Sequence, residues 1–207
     1  MNPRHLRVLS DWAVAQRALP GQGVSGDMHL VEAFPHGVLL AVVDGVGHGP
    51  EATLAATTAV DTLRGRPTES VHALVHRCHG ALRHTRGVVM TLASWNALDE
   101  TMTWLGVGNV EGLLIRADAT SAPASETLML RGGLVGAQLP SLSASVVPIF
   151  RGDLLILASD GIRNDFEHDI VLKASPKRIA DHILEHYFKC TDDAMVLVVR
   201  YLGVSGE

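Results

Sequence analysis

Four acidic positions stand at the ends of apolar runs: Asp27, Asp44, Asp160 and the pair Asp192-Asp193. Asp27 follows Ser25-Gly26, Asp44 is trailed by glycines at 45, 47 and 49, and Asp160 sits inside Ser159-Asp160-Gly161. Singly, each is explained as a turn or cap residue. If they converge, like-charge repulsion raises their pKa values or drives them apart unless cations neutralise them. Ligation by carboxylates alone suits hard ions such as Mg²⁺ or Mn²⁺, whereas zinc favours histidine and cysteine. Two such ions about 3.5–4 Å apart share a bridging hydroxide near neutral pH and hold a phosphoryl oxygen for in-line attack. That chemistry needs no serine or cysteine nucleophile. None is apparent: there is no G-x-S-x-G elbow, and neither Cys78 nor Cys190 has a basic neighbourhood.

The elements that must position these acids are legible around Asp44. Residues 39–43 are too few for a helix and rich in β-branched types, which predicts a buried strand. Pro50 and Glu51 suit the first turn of a helix, so Asp44 falls in a glycine-lined gap between strand and helix. A dinucleotide loop fits poorly, because the spacing is G-x-G-x-G and a carboxylate at the strand tip repels phosphate. An Asp-Gly hairpin fits no better, since no partner strand follows at once. Residues 28–34 read as a strand and 35–37 as a turn. Antiparallel pairing would therefore set Asp27 and Asp44 side by side.

Elsewhere the pattern predicts one or two strands over 6–19, a small-residue helix over 52–63, and a helix over 69–84 with Thr68 as its N-cap. Val71, Leu74, Val75, Cys78 and Leu82 share one face of that second helix. Strands follow at 88–95, 102–107 and 110–116, then a loop over 117–125. A short strand at 127–130 leads to a flexible glycine-rich connection at 132–136. Further strands at 146–150 and 153–158 precede a helix opened by Ser175-Pro176, with Ile179, Ile183, Leu184 and Tyr187 buried. A strand over 194–201 closes the chain. His72, His76 and His79, like His182 and His186, lack the glutamate of H-E-x-x-H and read as solvated helix surface.

With 207 residues, 47% apolar and 19% charged, the chain reads as one folded domain, 1–207. A net charge of −5 without a lysine/arginine run argues against nucleic acid and anionic membranes as partners. The first 23 residues hold no apolar signal segment, and the longest charge-free stretch, 132–150, is broken by glycine, proline and serine. Two distant cysteines without C-x-x-C suggest free thiols, so a cytoplasmic location is expected, with a monomer as the simplest state.

Taken together, Gly26-Asp27, Asp44-Gly45-Val46-Gly47-His48-Gly49, Ser159-Asp160-Gly161 and Asp192-Asp193 before a final strand resemble the metal motifs of the PPM (PP2C-like) serine/threonine phosphatases. The bacterial SpoIIE/RsbU/RsbX branch, with its D-G-x-G-H-G loop, matches best, and Gly133-Leu134-Val135-Gly136 falls where that branch has a glycine-rich segment. The resemblance implies a four-layer α-β-β-α sandwich of two antiparallel sheets flanked by helices, an α+β fold. It also implies that Asp44 bridges two Mn²⁺ or Mg²⁺ ions and that the Gly45 carbonyl helps hold one. Asp160 and Asp192 would bind the first metal, with Asp192 matching the family ligand better than Asp193. Asp27 would support the second metal directly or through water, and His48 would act as a general acid toward the leaving serine oxygen. Two departures stand out: no N-terminal match to the phosphate-binding arginine of eukaryotic relatives, and Asp192-Asp193-Ala194-Met195 in place of D-D-x-T.

A chain that is all catalytic domain leaves no room for the extensions of RsbU and SpoIIE and is expected to be RsbX-like. The implied substrate is a phosphoserine or phosphothreonine on a STAS-domain protein of a stressosome, in a stress-response signalling role. Two other readings compete. One is a catalytically weak PPM-fold module that binds a phosphorylated signalling partner. The other is a metal-dependent hydrolase of small phosphate esters.

Overall fold

The computed structural model describes residues 6–118 and 120–206. One five-stranded sheet runs β2-β3-β4-β5-β8, formed by Asp27–Phe34, Gly37–Gly45, Val88–Asn96, Thr101–Val107 and Ser145–Pro148. A second runs β1-β10-β9-β6-β7, formed by Leu6–Arg17, Ala194–Gly206, Leu154–Ala158, Glu111–Ile115 and Ser125–Thr127. All pairings in both sheets are antiparallel. Helices α1 (Pro50–Arg64) and α2 (Val71–Ala81) cover the first sheet, and α3 (Pro176–Tyr187) covers the second.

Side-chain alternation explains the four layers. On β3, Leu39, Ala41 and Val43 pack with Ala55, Ala59, Leu74 and Cys78 of α1 and α2. Val38, Leu40 and Val42 face the other way, against Leu155, Leu157, Leu197 and Val199 of the opposite sheet. Ile156, Ala158, Val196 and Val198 turn outward to meet Ile179, Ile183 and Tyr187 of α3. Interior strands are thus apolar on two faces, which is why β3 and β10 read as continuous hydrophobic runs. Among the described residues no helix is long and apolar enough to cross a membrane.

Several local expectations are corrected. Helix α2 starts at Val71 with Ser70, not Thr68, as its cap: the Ser70 hydroxyl accepts a hydrogen bond from Ala73 N at 3.3 Å. Glu69 is drawn off to pair with Arg66 and Arg77 instead. The short strand expected at 127–130 lies at Ser125–Thr127, because Leu128 turns into the inter-sheet core as its amide bonds to Gly112 O. Residues 132–136 are not loose. Val135 exchanges two backbone hydrogen bonds of 2.9 Å with Val88 and is fully buried. His79, expected on the surface, accepts a hydrogen bond from Gly136 N at 3.0 Å and ties α2 to that segment. His182 is likewise half-buried.

Candidate metal centre

In the β2–β3 hairpin the register places Asp27 directly opposite Asp44. Opposed residues project on the same sheet face with Cβ atoms about 4.5–5.5 Å apart. Asp44 continues the series Val38, Leu40, Val42 that points into the inter-sheet core, so both carboxylates emerge at the mouth between the sheets. The other sheet meets them there. Ser159, one residue past β9, is buried and donates from its hydroxyl to Asp27 Oδ2 at 2.7 Å, while accepting from Met195 N at 2.9 Å. A single hydroxyl thus joins β9 and β10 of one sheet to β2 of the other.

Asp193, at the entry to β10, is buried and already engaged. Its Oδ1 accepts from Leu19 N at 2.7 Å and its Oδ2 from Gly26 N at 2.5 Å. Those bonds hold the Gly26-Asp27 backbone in place. Asp192 is more exposed, and one of its oxygens accepts only from the following amide, Asp193 N, at 2.8 Å. Asp160 receives Asn109 Nδ2 on its Oδ2 at 2.6 Å, and Lys189 Nζ donates to the Asp160 carbonyl at 2.6 Å. His48 lies on the exposed part of the loop after Asp44.

The glycines that follow Asp44 and Asp160 serve one purpose in both places. A Cβ on Gly45 would lie 2.1 Å from Ala52 O, and one on Gly161 would lie 1.9 Å from Asp193 O. Each Asp-Gly step is therefore a point where a second backbone presses on the chain just behind the carboxylate. At Gly49, immediately before α1, φ is +79°, a left-handed value that glycine adopts without strain.

Electrostatics bind the acids into one unit. Burial pushes Asp44 up to about 9, with further upward contributions from Asp27, Asp160, Asp192 and Asp193. Burial likewise raises Asp27 to about 7, opposed by the Ser159 hydrogen bond and reinforced by Asp193, Asp160 and Asp192. Asp160 is raised too, first by burial and then by Asp192, with Lys189 and Asn109 pulling it back. Carboxylates that influence one another in this way share a small volume.

Whether this volume suits a divalent cation is decided by its donors. All are hard oxygens, and Asp27 Oδ1 is buried without a hydrogen-bond partner. Among the described residues no three Asp, Glu, His or Cys side chains are already drawn into a closed ligand cage. Uncompensated like charges hold one another at a distance, and an added positive charge removes that repulsion. The residues fit a hard divalent ion.

The structure brings Asp27, Asp44, Gly45, Asp160 and Asp192 to one mouth of the sandwich, with His48 on the loop above. Sequence reasoning missed the connecting role of Ser159 and the contributions of Asn109 and Lys189. Gly108-Asn109 was legible only as a break between two strands, and Lys189 only as the residue after a helix.

Residues 35–202 match the family model described as stage II sporulation protein E (SpoIIE). Phosphoserine phosphatase RsbX of Bacillus subtilis (strain 168) is 28% identical over 94 residues, 45% of this chain and 47% of RsbX. The match thus spans about half the length of that relative. A crystal structure of RsbX in complex with magnesium has a TM-score of 0.81 at 20% identity, covering 95% of this chain and 99% of the other. A chain solved in work on the bacterial stressosome, as a modular system adapted to control secondary messenger signalling, reaches 0.84 at 28% identity over 93% of this chain and 100% of its own. The PP2C phosphatase domain of SpoIIE from Bacillus subtilis, solved with a fragment of its regulatory domain, gives 0.73 at 20% identity over 98% of this chain and 65% of that one. The architecture is PP2C-like.

Proposed function

We propose, from the premise that the chain belongs to the SpoIIE family, that it is a metal-dependent protein serine/threonine phosphatase hydrolysing phosphoserine or phosphothreonine. The observation that carries this reading is the direct opposition of Asp27 and Asp44, with Asp160 and Asp192 near enough to raise the protonation of both. The likeness to the phosphoserine phosphatase RsbX supports the reaction class.

In this reading Asp44, Asp27, the Gly45 carbonyl, Asp160 and Asp192 hold two divalent ions, Mg²⁺ or Mn²⁺. Bound there, the ions supply charge neutralisation and water activation for attack on phosphorus. The protein's own groups do the rest. Asp193 is spent on Leu19 N and Gly26 N, which favours Asp192 as the ligand of the pair. Ser159 orients Asp27, and Asn109 orients Asp160. His48, exposed on the loop, would give a proton to the leaving serine oxygen.

The substrate is read as a phosphorylated STAS-domain protein of a stressosome, in a cytoplasmic stress-signalling setting, with the phosphatase acting as a monomer. The likeness to a chain solved in work on the stressosome supports the stressosome setting. Residues 1–207 are read as one phosphatase domain, since β1 pairs along β10 from opposite ends of the sequence.

The test is phosphate release from a serine-phosphorylated STAS protein in the presence of Mg²⁺ or Mn²⁺. Asp44→Asn is expected to lower release at least about 100-fold while leaving the circular dichroism spectrum unchanged. Wild-type rates in that variant, or wild-type rates with EDTA present, would sink the proposal.

A further inference from the structure

Once cations hold its carboxylates ionised, the mouth is rich in negative charge, and a phosphorylated side chain brings roughly 1.5 to 2 more negative charges. Metal ions answer part of that charge, and phosphoryl oxygens turned away from them need donors from the protein. One cation is already delivered to the rim beside the Asp44 loop. Arg86 occupies the turn between α2 and β4, two residues before Val88, the register partner of Gly45. Val46 N donates to Gly87 O at 3.1 Å, so the turn and the loop are fastened together. The guanidinium lies across Gly47: a Cβ at that position would sit 2.7 Å from Arg86 Nη1.

The turn that carries Arg86 is rigid at its base. Gly87 has φ +80°, its amide donates to Thr85 Oγ1 at 3.0 Å, and a Cβ there would come within 2.7 Å of Val135 O. The guanidinium end, by contrast, is lightly held. It pairs with Glu51 in the first turn of α1, with the two side chains 48% and 68% exposed. Exposed pairs of this kind are weak and easily exchanged. A guanidinium offers five N–H donors in a planar fork that matches two phosphate oxygens. Lys189, across the site, already donates to the Asp160 carbonyl.

We propose that Arg86 is a phosphate-contacting residue of this site, parked over the Gly45–Gly49 loop by Glu51 until phosphoryl oxygens displace that carboxylate. The proposal rests on the phosphatase reading for its substrate, a phosphorylated side chain. Its test is separable from that reading.

Inorganic phosphate is titrated calorimetrically into the Mg²⁺-loaded chain. Arg86→Ala weakens phosphate binding on the order of 10–100-fold, the scale of losing a charged hydrogen-bond pair. Arg86→Lys keeps the charge, loses the fork and falls between. Glu51→Gln releases the guanidinium and tightens phosphate by about 2–5-fold. Arg83→Ala, which removes an exposed positive charge a turn away, leaves phosphate binding unchanged. Mg²⁺ titrated alone binds every variant as it binds the wild type. With a phosphoserine peptide as substrate, the loss in Arg86→Ala falls on KM more than on kcat.

Phosphate affinity in Arg86→Ala within about 2-fold of wild type would overturn the proposal, as would an equal loss in Arg83→Ala or a Mg²⁺-loaded wild type that binds no phosphate. A wild type that binds phosphate but releases none from a phosphoprotein would overturn the phosphatase reading alone. The titrations would then still decide Arg86.

Discussion

Replacing Ser159 with alanine removes the one hydroxyl that bonds both Asp27 and the backbone of β10. The buried Asp27 Oδ2 loses its 2.7 Å donor, its Oδ1 has none to begin with, and Met195 N loses its 2.9 Å acceptor. A hydrogen bond to a charged group contributes about 1.5–3 kcal/mol, and stranding a buried amide costs about 1–3 kcal/mol. The expected destabilisation of the metal-free protein is therefore about 3–5 kcal/mol where Asp27 is ionised.

This cost depends on pH with a definite sign. Asp27 sits above its ordinary value in the folded state, at about 7, so its ionisation opposes folding. Wild-type stability from this group is fully present below about 4, falls as pH rises toward about 7, and then levels. The Ser159 hydrogen bond favours the ionised form, so its loss pushes Asp27 higher and extends the fall beyond pH 7. The difference between variant and wild type must grow with pH. Urea unfolding with EDTA, followed by circular dichroism at pH 5.5 and 8.5, measures it. A difference below about 1 kcal/mol at pH 8.5, or one larger at pH 5.5 than at 8.5, would refute the reasoning.

Two more outcomes follow from the same geometry. Because Asp27 and Asp44 are both raised, to about 7 and about 9, the EDTA-treated wild type loses thermal stability as pH rises from about 4 to about 9. Mg²⁺ reverses that loss increasingly toward high pH, so scans at pH 5, 7 and 9 with and without the ion should diverge, and parallel curves would contradict the assignment. Gly161→Ala forces a methyl to within 1.9 Å of Asp193 O, and the backbones must part. Overpacking of that kind costs about 1–3 kcal/mol and displaces Asp160, so both Tm and Mg²⁺ affinity should drop; an unchanged Mg²⁺ titration would show that Asp160 is no ligand.

Several features were legible in the sequence. Apolar runs bounded by turn signals located most of the strands, and Ser175-Pro176 marked the start of α3 through a cap that the Ser175 hydroxyl does form. Asp27 and Asp44 could be paired on paper because a short turn between two strands leaves little freedom of register; the turn expected over 35–37 is tighter, with Phe34 paired to Gly37 and only residues 35–36 between them. Errors arose where a tertiary contact outbid a local preference. Thr68 and Ser70 are both cap types, and the claim of Arg77 on Glu69 from eight residues away is visible only in space. Val135 lies in a glycine-rich segment whose sequence suggests looseness, yet β4 pins it by two backbone bonds.

By itself the sequence determined which atoms are available for chemistry: acidic side chains at strand ends, each free of a local basic partner, and glycines beside three of them. Their type is inherited from the residue and needs no fold. What only the tertiary structure decided is which acids remain uncommitted and which neighbours steer them. Asp193 is withdrawn by Leu19 N and Gly26 N, Ser159 reaches from one sheet to the other, and Arg86 arrives beside Gly47 from a turn about 40 residues further along the chain. Those outcomes depend on how two sheets stack, and stacking is set by burial summed over many side chains, which no short stretch of sequence encodes.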